Sequence, residues 1–264
     1  QSWSWRCPYR NNRYRKSGSF RLIDMATLFI SDLHLDNRRP EVIKFFTDYL
    51  KSLSKNIDAI YILGDFVEYW VGDDDPAEGL GDLFEQIKIK SSMHDIYFMH
   101  GNRDFMISEN FCNELGMTLL PDPSIVTIYG EKILIMHGDT LCTDDHAYQE
   151  FRKLVRSDIW QNEVLNKPLQ ERIKLAEELR RKSLRETESK KEIIMDVNQD
   201  EVKKAFLKHK VNLMIHGHTH RPKIHTSKYN GNEYKRIVLG DWYSNSFILN
   251  YQKDRISVEK TRFT

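Results

Sequence analysis

Five short motifs carry side chains that bind cations: D-x-H at Asp32 and His34, G-D at 64–65, G-N-R-D at 101–104, H-G-D at 137–139 and H-G-H-T-H at 216–220. Each follows an apolar run, in order TLFI, AIYIL, IYFM, KILIM and NLMI. Imidazole nitrogens and carboxylate oxygens converging from separate strand ends can hold a divalent cation, and a carboxylate with two oxygens can bridge two. Taken singly, His100, His137 or His216 reads more readily as a hydrogen-bonded structural histidine. Five such motifs, each where an apolar run stops, are far harder to obtain by accident.

The elements that must position these groups follow from the same runs. An apolar run that ends in alternation reads as a buried strand running out into a loop, and open α/β sheets keep their chemistry at strand ends. Between the first two runs, Val42, Phe45, Phe46, Tyr49, Leu50 and Leu53 keep the spacing of a helix packed on a sheet, giving a β-α-β unit. Residues 236–242, 246–252 and 255–260 lie close together and read as an antiparallel meander. Residues 141–210 hold no convincing strand and are rich in Arg, Lys and Glu at helical spacing, as in QERIKLAEELRRKSLRE. They read as a helical insertion between the fourth and fifth strands, most of its charges forming a solvated face.

A chain of 264 residues that is 40% hydrophobic buries a full core and fits one domain over 25–264. No run approaches the length of a membrane span, so membrane contact is expected to be peripheral. The net charge of +1 is unevenly spread: residues 1–24 carry six Arg or Lys against Asp24. With Met25 just before the first strand-like run and no apolar signal core, residues 1–24 are expected to be a disordered or non-native basic leader, and no nucleic-acid partner is expected. Cys7, Cys112 and Cys142 lack disulfide or zinc spacing, which fits a reducing, cytoplasmic compartment.

The ordered motifs resemble the calcineurin-like metallophosphoesterase family over nearly all of residues 26–245. The resemblance implies an α/β, four-layer αββα fold: a β-sandwich flanked by helices around two metal ions, here with the helical lid insertion. It places Asp32, His34, Asp65 and His218 on one metal and Asp65, Asn102, His137 and His216 on the other, with Asp65 as the bridge. Manganese is the expected metal. Two cations about 3.5 to 4 Å apart lower the pKa of a water and neutralise phosphoryl oxygens, so no protein nucleophile is needed and a covalent role for Cys142 is not expected. His220, Asp104 and Asp139 are expected to orient neighbouring groups, and the GDDD run at 72–75 to be an acidic exposed loop.

Where the family usually carries histidine after the motif asparagine, this chain has Arg103. Arginine keeps its proton, so it is expected to clamp charge and not to act as an acid. A phosphate monoester leaves without needing a proton, which favours a pyrophosphate bond as the target. A finer resemblance, carried by HGNRDF, GMTLLP, LIMHGDTLCTDD, IMDVNQ and IHGHTHRP, is to the lipid A branch of the family. It implies hydrolysis of UDP-2,3-diacylglucosamine to lipid X and UMP by water attack on the α-phosphorus, catalysed with Asp65, Asn102 and Arg103 at the cytoplasmic face of the inner membrane. Substrate contacts are then expected at Asn102, Arg103, Asp145, Ser183, Thr187, Lys190 and His218, threonine standing at 187 where the family usually has asparagine. Phe151, Val155, Ile159, Trp160, Leu165, Leu169 and Ile173 would supply apolar lid surface, and Arg152, Arg156, Arg180 and Arg181 could meet anionic headgroups. The alternative on the same core is a nucleotide phosphodiesterase or dinucleoside polyphosphatase, which needs no apolar lid.

Overall fold

The computed structural model describes residues 25–189 and 196–263. The basic leader and Lys190 lie outside them.

Two sheets face each other. The first contains β1 (Ala26–Ile30), β2 (Ile57–Leu63), β3 (Asp95–Met99), β4 (Met117–Leu120), β10 (Ile248–Gln252) and β11 (Arg255–Glu259), in the order β11-β10-β1-β2-β3-β4. The second contains β5 (Ser124–Ile128), β6 (Glu131–Met136), β7 (Leu213–His216), β8 (Lys223–Tyr229) and β9 (Asn232–Val238), in the order β5-β6-β7-β9-β8. β1 to β4 pair in parallel, as do β6, β7 and β9, so within each sheet the motif loops leave along one edge. Phe29, Phe98, Ile133, Ile215 and Leu239 join one buried cluster between the sheets.

The outer layers are helical. α1 (Pro40–Ser52) starts on a proline, whose missing N–H costs nothing in a first turn, and buries Val42, Ile43, Phe46 and Leu50. With α2 (Gly81–Ser91) and α3 (Glu109–Glu114) it accompanies the first sheet, packing its apolar side chains into the same cluster. The predicted layers are therefore present.

Two expectations change. Residues 236–242 and 246–252 do not pair with one another: β9 lies parallel to β7, whereas β10 lies antiparallel to β1. The chain crosses between sheets through fully buried Trp242, which packs on Phe45 and Phe46 and donates its backbone N–H to Asp32 O at 3.0 Å. Only the β10–β11 hairpin of the proposed meander survives, because each strand gains more by completing a buried sheet than by pairing with its chain neighbour.

The 141–210 segment also divides. It contains α4 (His146–Val155), α5 (Asp158–Leu165), α6 (Leu169–Ser189) and α7 (Gln199–His209). α7 begins where Asn198 Oδ1 accepts from the N–H groups of Asp200 and Glu201. Its Val202 and Phe206 are buried with Leu134, Met136 and Met214 of the second sheet. α7 thus forms the fourth layer, and the lid consists of α4 to α6.

Candidate metal centre and substrate cleft

The motif loops are tightly bent where they leave the strands. Asp32, His34, Asp65, His218 and His220 all hold positive φ, between 47° and 69°. For residues with a Cβ this left-handed region is unfavourable by about 1 kcal/mol or more and collects at functional sites. Cross-loop bonds hold it: Asp32 N–H donates to Gly64 O, His34 N–H to Asp65 O and Gly217 N–H to His137 O, at 2.9–3.0 Å. Any side chain at Gly217 would strike the Asp32 carboxylate, and one at Gly101 the Asp65 carboxylate. Glycine is required at both positions so that backbone can approach a ligand-bearing side chain.

The loops bring the expected groups together. Asp32, His34 and His220 offer ligand atoms within 4.8 Å of one another, as do Asp32, Asp65 and His137. Asp65 faces both sides: Oδ2 lies 3.7 Å from His34 Nε2 and Oδ1 lies 3.7 Å from His137 Nε2, the disposition a bridging carboxylate needs. Asn102 Oδ1 stands 3.0 Å from His137 Nε2 and 2.8 Å from His218 Nδ1. The backbone N–H of His218 donates to both Asp32 oxygens, at 3.0 and 3.2 Å.

The chemistry of this donor set fits divalent cations. Among the described residues the ion-pair partners of buried Asp32 and Asp65 are all histidines, so neither carboxylate has a fixed positive partner. Burial would push His137 down, yet Asp65, Asp139 and Asp32 raise it to about 9. That negative field would equally favour a cation. His137 Nδ1 lies 2.9 Å from Leu63 O and must donate there, which points Nε2 at the carboxylates. Burial, followed by the neighbouring charge of His137, lowers the His218 pKa to about 4, so near neutral pH the ring is in the uncharged form in which imidazole ligates.

Two of the expected ligands, His216 and His218, fall outside both groups, and His220 falls inside one. His216 joins neither group: an arginine only donates, so His216 Nε2 accepts from Arg236 Nη1 at 3.0 Å, and Nδ1–H donates to Gly217 O at 2.8 Å. His220, expected to sit behind the ligands, instead lies with Nε2 3.4 Å from both Asp32 Oδ1 and His34 Nε2. The turn at His218 and Thr219 breaks strand alternation and carries the later histidine inward.

The supporting residues are better resolved in space than in sequence. Asp104 accepts from Phe66 N–H and Gly101 N–H, both at 2.7 Å, tying the Asp65 loop to the Asn102 loop, and burial followed by Asp65 raises its carboxyl to about 7. Asp139 accepts from Tyr148 Oη at 2.7 Å and Arg152 Nε at 2.6 Å. His100 donates to Ile107 O and is structural. Asp73 and Asp75 accept local backbone or side-chain bonds, from Trp70 and Ala77 among others, while Asp74 holds a lid arginine. Glu68, Tyr148 and Tyr243 are additions: Glu68 Oε2 lies 3.3 Å from His34 Nδ1, and Tyr243 stacks on the His34 ring at 5.2 Å. Only the position of Glu68, three residues after Asp65, could have hinted at it.

A cleft of about 560 Å³ lies over these groups and is lined in part by Asn102, Arg103, Asp145, Ser183 and His218. The side chain of Thr187, like Lys190, lies outside what is described. Phe151 and Trp160 line the cleft as expected, joined by Val164, Leu175 and Leu179. Val155 is buried, whereas Ile159 is 74% exposed. Three of the four expected lid arginines, joined by Arg172, grip the body. Arg152 binds Asp139, Arg156 Nη2 donates to Gly101 O at 2.7 Å, Arg172 Nη1 donates to Val71 O at 2.6 Å, and Arg180 Nε pairs with Glu68 at 2.6 Å. Arg181 remains exposed.

A helix-flanked β-sandwich with histidine and carboxylate loops gathered at one end defines a metallophosphoesterase, and the chain belongs to the calcineurin-like phosphoesterase family, which matches residues 25–222. Within that family it is 45% identical over 236 residues to a Marinobacter nauticus protein named UDP-2,3-diacylglucosamine hydrolase, covering 88% of this chain and 95% of the relative. A protein of the same name from Serratia proteamaculans is 43% identical over 235 residues, covering 89% and 98%. A solved archaeal phosphodiesterase aligns over 90% of this chain and 99% of its own at 14% identity, with a TM-score of 0.45.

Proposed function

We propose that this chain is a dinuclear-metal pyrophosphate hydrolase that cleaves UDP-2,3-diacylglucosamine to lipid X and UMP, by water attack on the α-phosphorus, in lipid A biosynthesis. The carrying observation is that one cleft is lined both by His34, Asp65, Asn102 and His218 and by the apolar lid residues Phe151, Trp160 and Leu175. A nucleotide phosphodiesterase or dinucleoside polyphosphatase would have no use for the second set. Relatives named for this substrate, alignable over nearly their whole length, support the same reading.

Asp32, His34, Asp65, Asn102, His137, His216 and His218, the set the resemblance implies, would hold the cations, with His220 beside Asp32 and His34. When bound, two divalent cations lower the pKa of an attacking water and neutralise phosphoryl charge. Manganese suits a mixed nitrogen and oxygen donor set. The residues supply the rest. Asp65 fixes the spacing of the two halves through its two oxygens. Asp145, which caps α4 by accepting from Tyr148 N–H, and Ser183 present polar groups on the cleft wall. Closed over a bound substrate, the lid would exclude water from the reacting bond. Exposed Leu154, Ile159 and Leu165 on the lid helices support peripheral contact with the inner-membrane surface that supplies the lipid; among the described residues no helix is long and apolar enough to cross a membrane.

Arg103 is central to substrate choice. Its backbone N–H donates to Asp65 Oδ1 at 2.8 Å, its side chain reaches the cleft, and its buried Nε finds no partner among the described residues. An unpaired buried guanidinium N–H suits a phosphate oxygen. With UDP-2,3-diacylglucosamine and manganese, Arg103→Ala is expected to lower turnover by about one to two decades, the worth of one desolvated charge-assisted bond. Arg103→Lys is expected to recover part. Arg103→His is expected neither to restore the rate nor to add a neutral-pH limb; a histidine variant as fast as the parent would show that the leaving group does need a proton.

A further inference from the structure

The lid and the ligand loops meet at one buried carboxylate. Glu68 is 4% exposed. One of its oxygens lies 3.3 Å from His34 Nδ1 and the other 2.6 Å from Arg180 Nε on α6, both as ion-pair contacts whose angles fall short of a hydrogen bond. Its backbone is fixed beside His34 as well: Glu68 N–H donates to Leu35 O, and Leu35 N–H to Phe66 O, both at 3.0 Å. Eight residues earlier on α6, Arg172 grips the same loop through Val71 O and Asp74. α6 therefore bears on the loop after β2 at two points little more than two turns apart, and one of them ends on the ring of a candidate ligand. The other lid arginines differ: Arg156 ends on a backbone carbonyl, and Arg152 ends on Asp139, whose hydrogen bonds go to lid residues.

We propose that Glu68 is a positioning residue that couples lid closure to metal binding, because its carboxylate is shared between His34 and Arg180. The physical basis is ordinary outer-sphere support: a histidine that ligates through Nε2 donates Nδ1–H to a carboxylate, which fixes the ring and strengthens its basicity. Ligation of His34 would polarise that N–H, draw the 3.3 Å contact with Glu68 into a hydrogen bond and hold the second oxygen in place for Arg180. Linkage makes the effect mutual, so a docked α6 must favour the loaded centre as much as loading favours docking. Substrate capture by the lid is then confined to chains able to turn it over. Glu68 touches no substrate in this scheme; it acts through His34.

The inference rests on the metal-binding reading above and is independent of the lipid substrate, so its test uses manganese alone on the full chain. Manganese affinity is measured by competition with a fluorescent chelator, and backbone hydrogen exchange is followed over residues 169–183 with and without the metal. In the parent, manganese is expected to slow exchange in α6. Glu68→Gln is expected to weaken manganese binding about 10- to 100-fold, the range for lost outer-sphere partners. Arg180→Gln leaves the His34 contact in place, yet is expected to weaken manganese binding at least about fivefold, the lower range of site-to-site coupling, and to erase the metal-dependent slowing. Arg180→Lys is expected to recover part of both effects, since charge remains while the planar fork is lost. Arg180 is 28% exposed in its side chain, so this arm stands even if Glu68→Gln does not fold. A parent that binds no manganese overturns both readings. A parent that binds it with no change in α6 overturns this one alone, as does an Arg180→Gln chain that binds manganese like the parent or keeps the metal-dependent slowing.

Discussion

Asp65→Ala is expected to lower hydrolysis by at least about three decades and to cost more than any other single ligand substitution. Lewis-acid stabilisation of a phosphoryl transition state is worth several kcal/mol, and each ~1.4 kcal/mol is a factor of ten in rate. Asp65 is the group whose two oxygens face His34 on one side and His137 on the other, so its loss disturbs both halves of the centre. Its Oδ1 also accepts the backbone N–H of Arg103, so the clamp loses its seat as well. His34→Ala removes one nitrogen from one half and leaves the His137 side intact. Steady-state rates with saturating manganese compare the two variants, with bound metal counted per chain. An Asp65→Ala enzyme faster than His34→Ala would remove the bridge from the account.

Replacing residues 146–189 with a short linker, while keeping 196–210, is expected to separate the two jobs of the insertion. Turnover of the diacylated substrate is expected to fall by at least about two decades, because burying a methylene contributes ~0.8 kcal/mol and only a few need lose their seat. Slow hydrolysis of a small activated phosphodiester is expected to stay within about tenfold of the parent, since the ligand loops fold from the two sheets. α7 must be spared: Val202 and Phe206 are core of the second sheet, and truncating a residue such as Phe206 is typically worth about 3–5 kcal/mol of stability. The cut also strands Glu68 and Asp139 without Arg180 and Arg152, and a buried charge left without its partner is destabilising. Equal loss on both substrates would mean that the lid arginines hold the loops in shape and that lipid selectivity resides elsewhere.

What could be read from the chain was whatever depends on short-range pattern. The apolar runs at 27–30, 59–63, 96–99, 132–136 and 212–215 became β1, β2, β3, β6 and β7, and the side chains that follow them meet at one end because those strands run parallel within each sheet. The helical spacing also held over the described parts of 141–210, as α4 to α7. It could not say which helix faces the core, since α7 and α6 are both charged helices and differ in what their apolar stripes find to pack against. The antiparallel meander failed for the same reason: pairing of β9 with β7 and of β10 with β1 is decided by distant partners. His220 reaches Asp32 and His34 because a left-handed turn at His218, φ 69°, ends the strand alternation and carries it inward. The roles of Arg152, Arg172 and Arg180 were hidden because a buried cation on a lid and a solvated one look alike until Asp139, Val71 and Glu68 are seen beneath them.

Solvent oxygen tracing tests the central claim most directly. The enzyme is incubated with UDP-2,3-diacylglucosamine and manganese in ¹⁸O-water, and both products are weighed by mass spectrometry. Attack on the α-phosphorus predicts one ¹⁸O in UMP and none in the diacylated glucosamine 1-phosphate. Label in the lipid product, or release of inorganic phosphate in place of these two products, would contradict the account.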